Sequence, residues 1–209
     1  MWLQDSEKPL KMRDLMYYRL LVTMFCLLLL PLTVGAEVQQ VTIRWTSLLC
    51  KDSCVKLLDQ QLKKISGIKD VSIDQQAGQA VLTWKPNAPF LFTSINSAMH
   101  MVGISMRDIR IRVQGSIRHS GSTIFIVSEG DNTRFELVSP VTPNSKGQTS
   151  EYNYSNRKLS PDLMKQLLDA EKNRLKATIE GPVFMPERMT VPTQIVVDKL
   201  DFAETPKTK

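Results

Sequence analysis

Between Val38 and Val113 the hydrophobic period switches repeatedly between two and three-to-four residues, and this alternation constrains the fold more than any other feature of the chain. The segment "VQQVTIRW" (38–45) is β-branched and alternating, the mark of a half-buried strand. From Lys51 to Ile65 the period changes. Val55, Leu58, Leu62 and Ile65 recur at spacings of three and four and form one stripe of a helix, with Lys56, Asp59, Gln60, Lys63 and Lys64 on the other side. Asp52 or Ser53 is placed to cap this helix, and Gly67 to end it. Next, "IKDVSID" and "AVLTW" flank "QQAGQ", where Gly78 supplies the turn of a hairpin. Helical spacing returns through Phe92, Ile95, Met99 and Val102 and stops at Gly103, and "ISMRDIRIRV" is again strand-like.

The resulting order of strand, helix, strand, strand, helix, strand predicts a ferredoxin-like βαββαβ unit, two helices on one face of a four-stranded antiparallel sheet. A second rhythm begins near Ile109. Three short strands ("IRIRVQGSIRHSG", "STIFIVSEG", "TRFELVSP") are followed by a polar stretch from Pro143 expected to be a long loop. Ser160 and Pro161 then open a helix carrying Leu163, Leu167 and Leu168, and "KATIEGPVF" and "TQIVVDKLDF" are two closing strands. Three strands, a helix and two strands match a small OB-like β-barrel, with Gly115 and Gly181 at mid-strand bends. The predicted class is α+β. The chain divides into an N-terminal leader (1–36), a ferredoxin-like domain (37–108), an OB-like barrel (109–203) and a short tail (204–209).

Composition decides the class of chain. With 42% hydrophobic and 23% charged residues it is globular rather than disordered. The net charge of +6 is scattered, not run into basic blocks, and gives little support to nucleic-acid binding. The leader says more. Lys8, Lys11, Arg13 and Arg19 precede the uncharged run "LLVTMFCLLLLPLTVGA" (20–36), which Pro31 interrupts and the small residues Gly35 and Ala36 close. This is the pattern of a secretory signal peptide cut before Glu37, with an uncleaved single-pass anchor as the alternative. An exported, periplasmic or otherwise extracytoplasmic location follows as the expectation, and with it an oxidising setting for Cys50 and Cys54, the two cysteines outside the leader.

Around those thiols the residues resemble a known family. Cys54-Val55, Leu58-Asp59, Leu62, Gly67-Ile68 and Val71, continued by "INSAMHMVGI", are similar to the heavy-metal-associated (HMA) domain of copper chaperones, metal-pumping ATPases and mercury-binding proteins. The likeness spans roughly residues 38–108 and implies a ferredoxin-like fold and a soft metal held by two cysteines. It carries over directly to Cys54. The family's first cysteine aligns with Lys51, so Cys50 is displaced by one residue and the spacing becomes Cys-x-x-x-Cys. Thiolates suit Cu(I), Hg(II) and Zn(II), and a helix N-terminus favours the thiolate at Cys54. Three readings stand open for the pair: a soft-metal site, a disulfide, and a silent remnant of a metal-binding fold.

Other residues add little chemistry. "MHM" (99–101) combines ligand types that suit copper, but Met99 falls on the apolar stripe and reads as core, leaving His100 on the surface. His119 reads as a solvated turn residue. Trp45 and Trp84 occupy equivalent late positions on two strands, where a core or a sheet face would take them. The sequence has no nucleophile elbow, phosphate loop or zincin motif, so no catalytic residues and no enzyme activity are expected. The expected function is buffering or delivery of a soft metal through Cys50 and Cys54, with a membrane metal transporter or envelope protein as partner. The alternative is a structural or interaction module of the cell envelope with an oxidised or silent cysteine pair.

Overall fold

One strand joins the two halves of the chain. In the computed structural model, which describes residues 38–46, 52–128, 130–140, 158–184 and 192–203, β4 (Met106–Ser120) runs for 15 residues without interruption. Its first part pairs with β1 (Val38–Trp45), and its later part with β5 (Thr123–Val127) and β7 (Lys176–Phe184). The two overlapping strand patterns read around Ile109 are this single strand, which passes through the point where the sequence rhythm changes. The leader (1–36) and all but the last three residues of the polar stretch that begins at Pro143 (143–157) lie outside the described residues.

The first half follows the predicted element order. β1 is followed by helix α1 (Asp52–Lys63), the hairpin β2 (Ile68–Asp74) and β3 (Gln79–Trp84), helix α2 (Phe92–Met101), and then β4. Gly78 takes φ +61° in the hairpin turn and Gly103 takes φ +74° after α2, conformations that cost glycine little. The strands lie in the order β2-β3-β1-β4, all antiparallel. Alternation along each strand buries Val41, Ile43 and Trp45, Ala80, Leu82 and Trp84, and Ile109, Ile111 and Val113. These residues pack with Leu58 and Leu62 of α1 and Ile95, Ala98 and Met99 of α2, the apolar stripes expected from the spacing.

In the second half β4, β5, β6 (Arg134–Val138), β8 (Thr193–Val196) and β7 form a small closed five-stranded barrel, shut by the β4–β7 pairing. β6 and β8 are parallel and the other barrel pairs antiparallel. Helix α3 (Pro161–Lys172) lies in sequence between β6 and β7, and the Ser160 hydroxyl accepts the Leu163 N–H at 3.3 Å as its cap. The closing run "TQIVVDKLDF" is two strands rather than one. β8 stops at Val196, and β9 (Lys199–Phe202) returns along the outer side of β7.

Both mid-strand glycines sit where backbones meet. A Cβ on Gly181 would lie 2.9 Å from the Val196 carbonyl carbon and closer still to its oxygen, and one on Gly115 would meet the Val127 carbonyl in the same way. Close approach, not a left-handed φ, therefore requires glycine at these two bends. The core is continuous across the halves. Trp84 packs on Phe90 at 5.6 Å and Phe90 on Phe135 of β6 at 5.8 Å, which carries the apolar interior from the helical layer into the barrel.

Candidate functional site

Cys54 lies in the first turn of α1, half-buried and packed against the core beside Val55. Helix geometry explains its position. Leu58 and Leu62, at four-residue intervals, are both fully buried, so the same stripe draws the first turn inward. The Cys54 sulfur is disulfide-bonded, to a partner outside the described residues. In that state it has no thiolate to give a metal, and only the reduced residue has the donor a soft ion needs. Cys50, the other expected ligand, also lies outside the described residues. Among the described residues no group of three or more His, Cys, Asp or Glu side chains gathers at metal-binding distance.

The remaining sequence candidates separate clearly. Met99 is fully buried, as its place on the apolar stripe implies, whereas His100 and Met101 are exposed. Trp45 and Trp84 both take the core position. The Trp84 Nε1–H donates to the Ala88 carbonyl at 3.0 Å, while the Trp45 Nε1–H is buried without an acceptor among the described residues. His119 is part of β4 rather than of the turn, and its Nδ1 lies 2.5 Å from Glu171 Oε2 on α3, tying that helix to the end of the strand. No local signal announces this pair, because the two residues are 52 positions apart.

Two surface features escape a reading of the sequence. The first is a groove of about 360 Å³ between the end of α1 and α2, lined by Gln61, Lys64, Ile65, Trp84, Leu91 and Met101. Leu91 is 52% and Met101 65% exposed, so apolar surface stands at its lip. The groove closes at its base because the Trp84 ring lies on Gly67, where a Cβ would approach to 2.8 Å. The second is the sheet face turned away from the helices. There Gln40, Thr42 and Arg44 of β1 stand beside Gln79 of β3 and Arg110 and Arg112 of β4, around a cavity of about 180 Å³. Each of these residues alternates with a core position, so periodicity marks them only as solvent-facing.

Among the described residues no helix is long and apolar enough to cross a membrane. No family model matches the chain. No curated protein matches it either.

Proposed function

We propose that the protein is a non-enzymatic interaction module of the cell envelope, exported by its N-terminal leader, in which Cys54 serves as one half of a structural disulfide. The observation that carries this reading is the disulfide at Cys54, which removes the sulfur from soft-metal ligation. Cys50 is the partner assigned to it, four residues earlier in the chain and outside the leader. The bridge would anchor the start of α1 to the segment leaving β1. The strand order β2-β3-β1-β4 with its two crossover helices supports a ferredoxin-like first half. The barrel order β4-β5-β6-β8-β7, with α3 between its third and fourth strands in sequence, supports an OB-type second half. Neither fold fixes an activity by itself.

The soft-metal reading is retained for the reduced protein on one observation. Cys54 occupies the first turn of α1, where the positive end of the helix dipole stabilises a thiolate. A Cu(I) or Hg(II) ion held there by Cys50 and Cys54 would be cargo for delivery to a membrane transporter.

One experiment separates the two readings. Protein isolated from its native compartment with free thiols blocked is mapped by peptide mass. A Cys50–Cys54 linked peptide, with Cu(I) uptake only after reduction, is the expected result. Both thiols found free, together with one Cu(I) bound per chain and lost in Cys54→Ser, would replace the structural reading with the metal-binding one.

A further inference from the structure

The open face of the first sheet is a patterned cationic surface. Strand register sets Thr42 against Arg110 and Gln40 against Arg112 across β1 and β4, with Arg44 against Gln79 across β1 and β3. Directly opposed side chains on antiparallel strands lie about 5 Å apart, and neighbours two residues along a strand about 7 Å. Arg44, Arg110 and Arg112 therefore surround the Thr42 hydroxyl at spacings the backbone holds fixed. Glu180 of β7, in register with Arg112, forms the wall where the sheet turns into the barrel.

The same register sets Asp108 against Arg44 and Glu180 against Arg112, so the arginines share this face with acidic side chains, and the ion pairs decide which guanidiniums stay available. Arg110 Nη2 pairs with Asp198 Oδ2 at 2.5 Å, and Glu180 is taken by Lys199 Nζ at 3.2 Å. Arg44 Nε donates to the Gln79 amide oxygen at 3.1 Å, which orients the guanidinium and leaves its terminal N–H groups free of that bond. Asp108 and Glu180 stand opposite Arg44 and Arg112 in register, yet among the described residues neither arginine makes an ion pair at contact distance.

We propose that this cavity binds a phosphate group, free or as the headgroup of a lipid, through Arg44, Arg112 and the Thr42 hydroxyl, with the ion-paired Arg110 contributing its remaining donors. Three observations select this ligand. Arg44 and Arg112, the two guanidiniums that make no ion pair, offer one charged donor each to a phosphate monoester of charge about −1.5 to −2, which outweighs Asp108 in the competition for Arg44 as a single carboxylate does not. Guanidinium donors suit the bidentate geometry of phosphate oxygens. At about 180 Å³ the cavity has room for a headgroup-sized anion, below the size typical of drug-like ligand pockets. The site is independent of the cysteine pair and holds whether that pair is oxidised or reduced.

The test is titration of the full chain with inorganic phosphate and, separately, with phosphatidylcholine vesicles with and without phosphatidate. Acetate is the monoanion control. Saturable phosphate binding is expected, at least tenfold tighter than acetate. Arg44→Gln and Arg112→Gln should each weaken it roughly ten- to hundredfold, the loss of one charged hydrogen-bonding partner. Lys63→Gln, on α1, should leave it unchanged, and circular dichroism checks that each variant folds. Binding to phosphatidate vesicles without binding to inorganic phosphate supports the proposal and identifies a lipid headgroup as the source. The proposal is overturned by absence of saturable binding in both arms at millimolar phosphate, by equal binding of acetate, or by equal weakening in Lys63→Gln.

Discussion

Gly181→Ala tests most directly how the barrel closes. At Gly181, β7 passes between β4 on one side and the β8–β9 connection on the other, and the Val196 carbonyl points at the glycine Cα. A methyl group there meets backbone, not the end of a flexible side chain. That backbone has little freedom to move, because the Val197 N–H donates to the Val138 carbonyl at 2.9 Å and the Asp198 N–H to the Glu180 carbonyl at 3.1 Å. Overpacking costs about 1–3 kcal/mol, and breaking one or two of these bonds adds about 1 kcal/mol each. The expected loss is thus about 2–5 kcal/mol, a large share of a typical domain stability of about 5–15 kcal/mol. For a chain of this size that lowers Tm by about 4–20 °C. The assay is urea and thermal unfolding of wild type and variant, with Gly121→Ala as control. Gly121 has φ +60° and no atom within 4 Å of an added Cβ, so it should lose only the left-handed strain of about 1–2 kcal/mol. Equal stability losses in the two variants, or a Gly181→Ala loss under about 1 kcal/mol, would refute the close-approach argument.

Because β4 and the Trp84–Phe90–Phe135 contacts are shared, the two halves should unfold in one transition, with tryptophan fluorescence and far-UV circular dichroism coincident; two separated midpoints would show the halves to be independent. Phe135→Ala should cost about 3–5 kcal/mol in urea titration, and a double-mutant cycle with Phe90→Ala should return a coupling of about 0.5–1.5 kcal/mol. Trp45→Phe removes a buried N–H that has no acceptor among the described residues, so its stability should stay within about 1 kcal/mol of wild type despite the lost volume; a larger loss would mean that the indole N–H is satisfied. Cys54→Ser should lower stability by about 2 kcal/mol if the bridge closes on Cys50, the value for so short a loop, and added reductant should abolish the difference between variant and wild type.

The candidate sites are legible in the sequence to different degrees. Cys54 is marked by its place at the head of an amphipathic helix, and the structure keeps it there. Its oxidation state is one of three readings the residues leave open, because spacing alone does not say whether two sulfurs meet each other or an ion. The arginine face is visible only as a row of polar residues alternating with core ones. Its meaning depends on β1, β3 and β4 lying side by side, and on Asp198 and Lys199 arriving from far along the chain to engage Arg110 and Glu180 but not Arg44 or Arg112. The His119–Glu171 pair and the groove beneath Leu91 and Met101 are likewise products of packing.

What the sequence determined by itself is local: the helix stripes at Leu58–Leu62 and Ile95–Met99, the turns at Gly78 and Gly103, and the cap at Ser160. Each follows from backbone geometry repeating over a few residues, so neighbouring side chains are enough to specify it. Only the tertiary structure decided that β4 is one strand serving a sheet and a barrel, that β8 and β9 part at Val197–Asp198, and that Gly181 must be glycine because Val196 rests on it. Those outcomes depend on which backbones meet across long stretches of chain. That is set by the packing of one shared core, to which every strand contributes and which no short segment encodes.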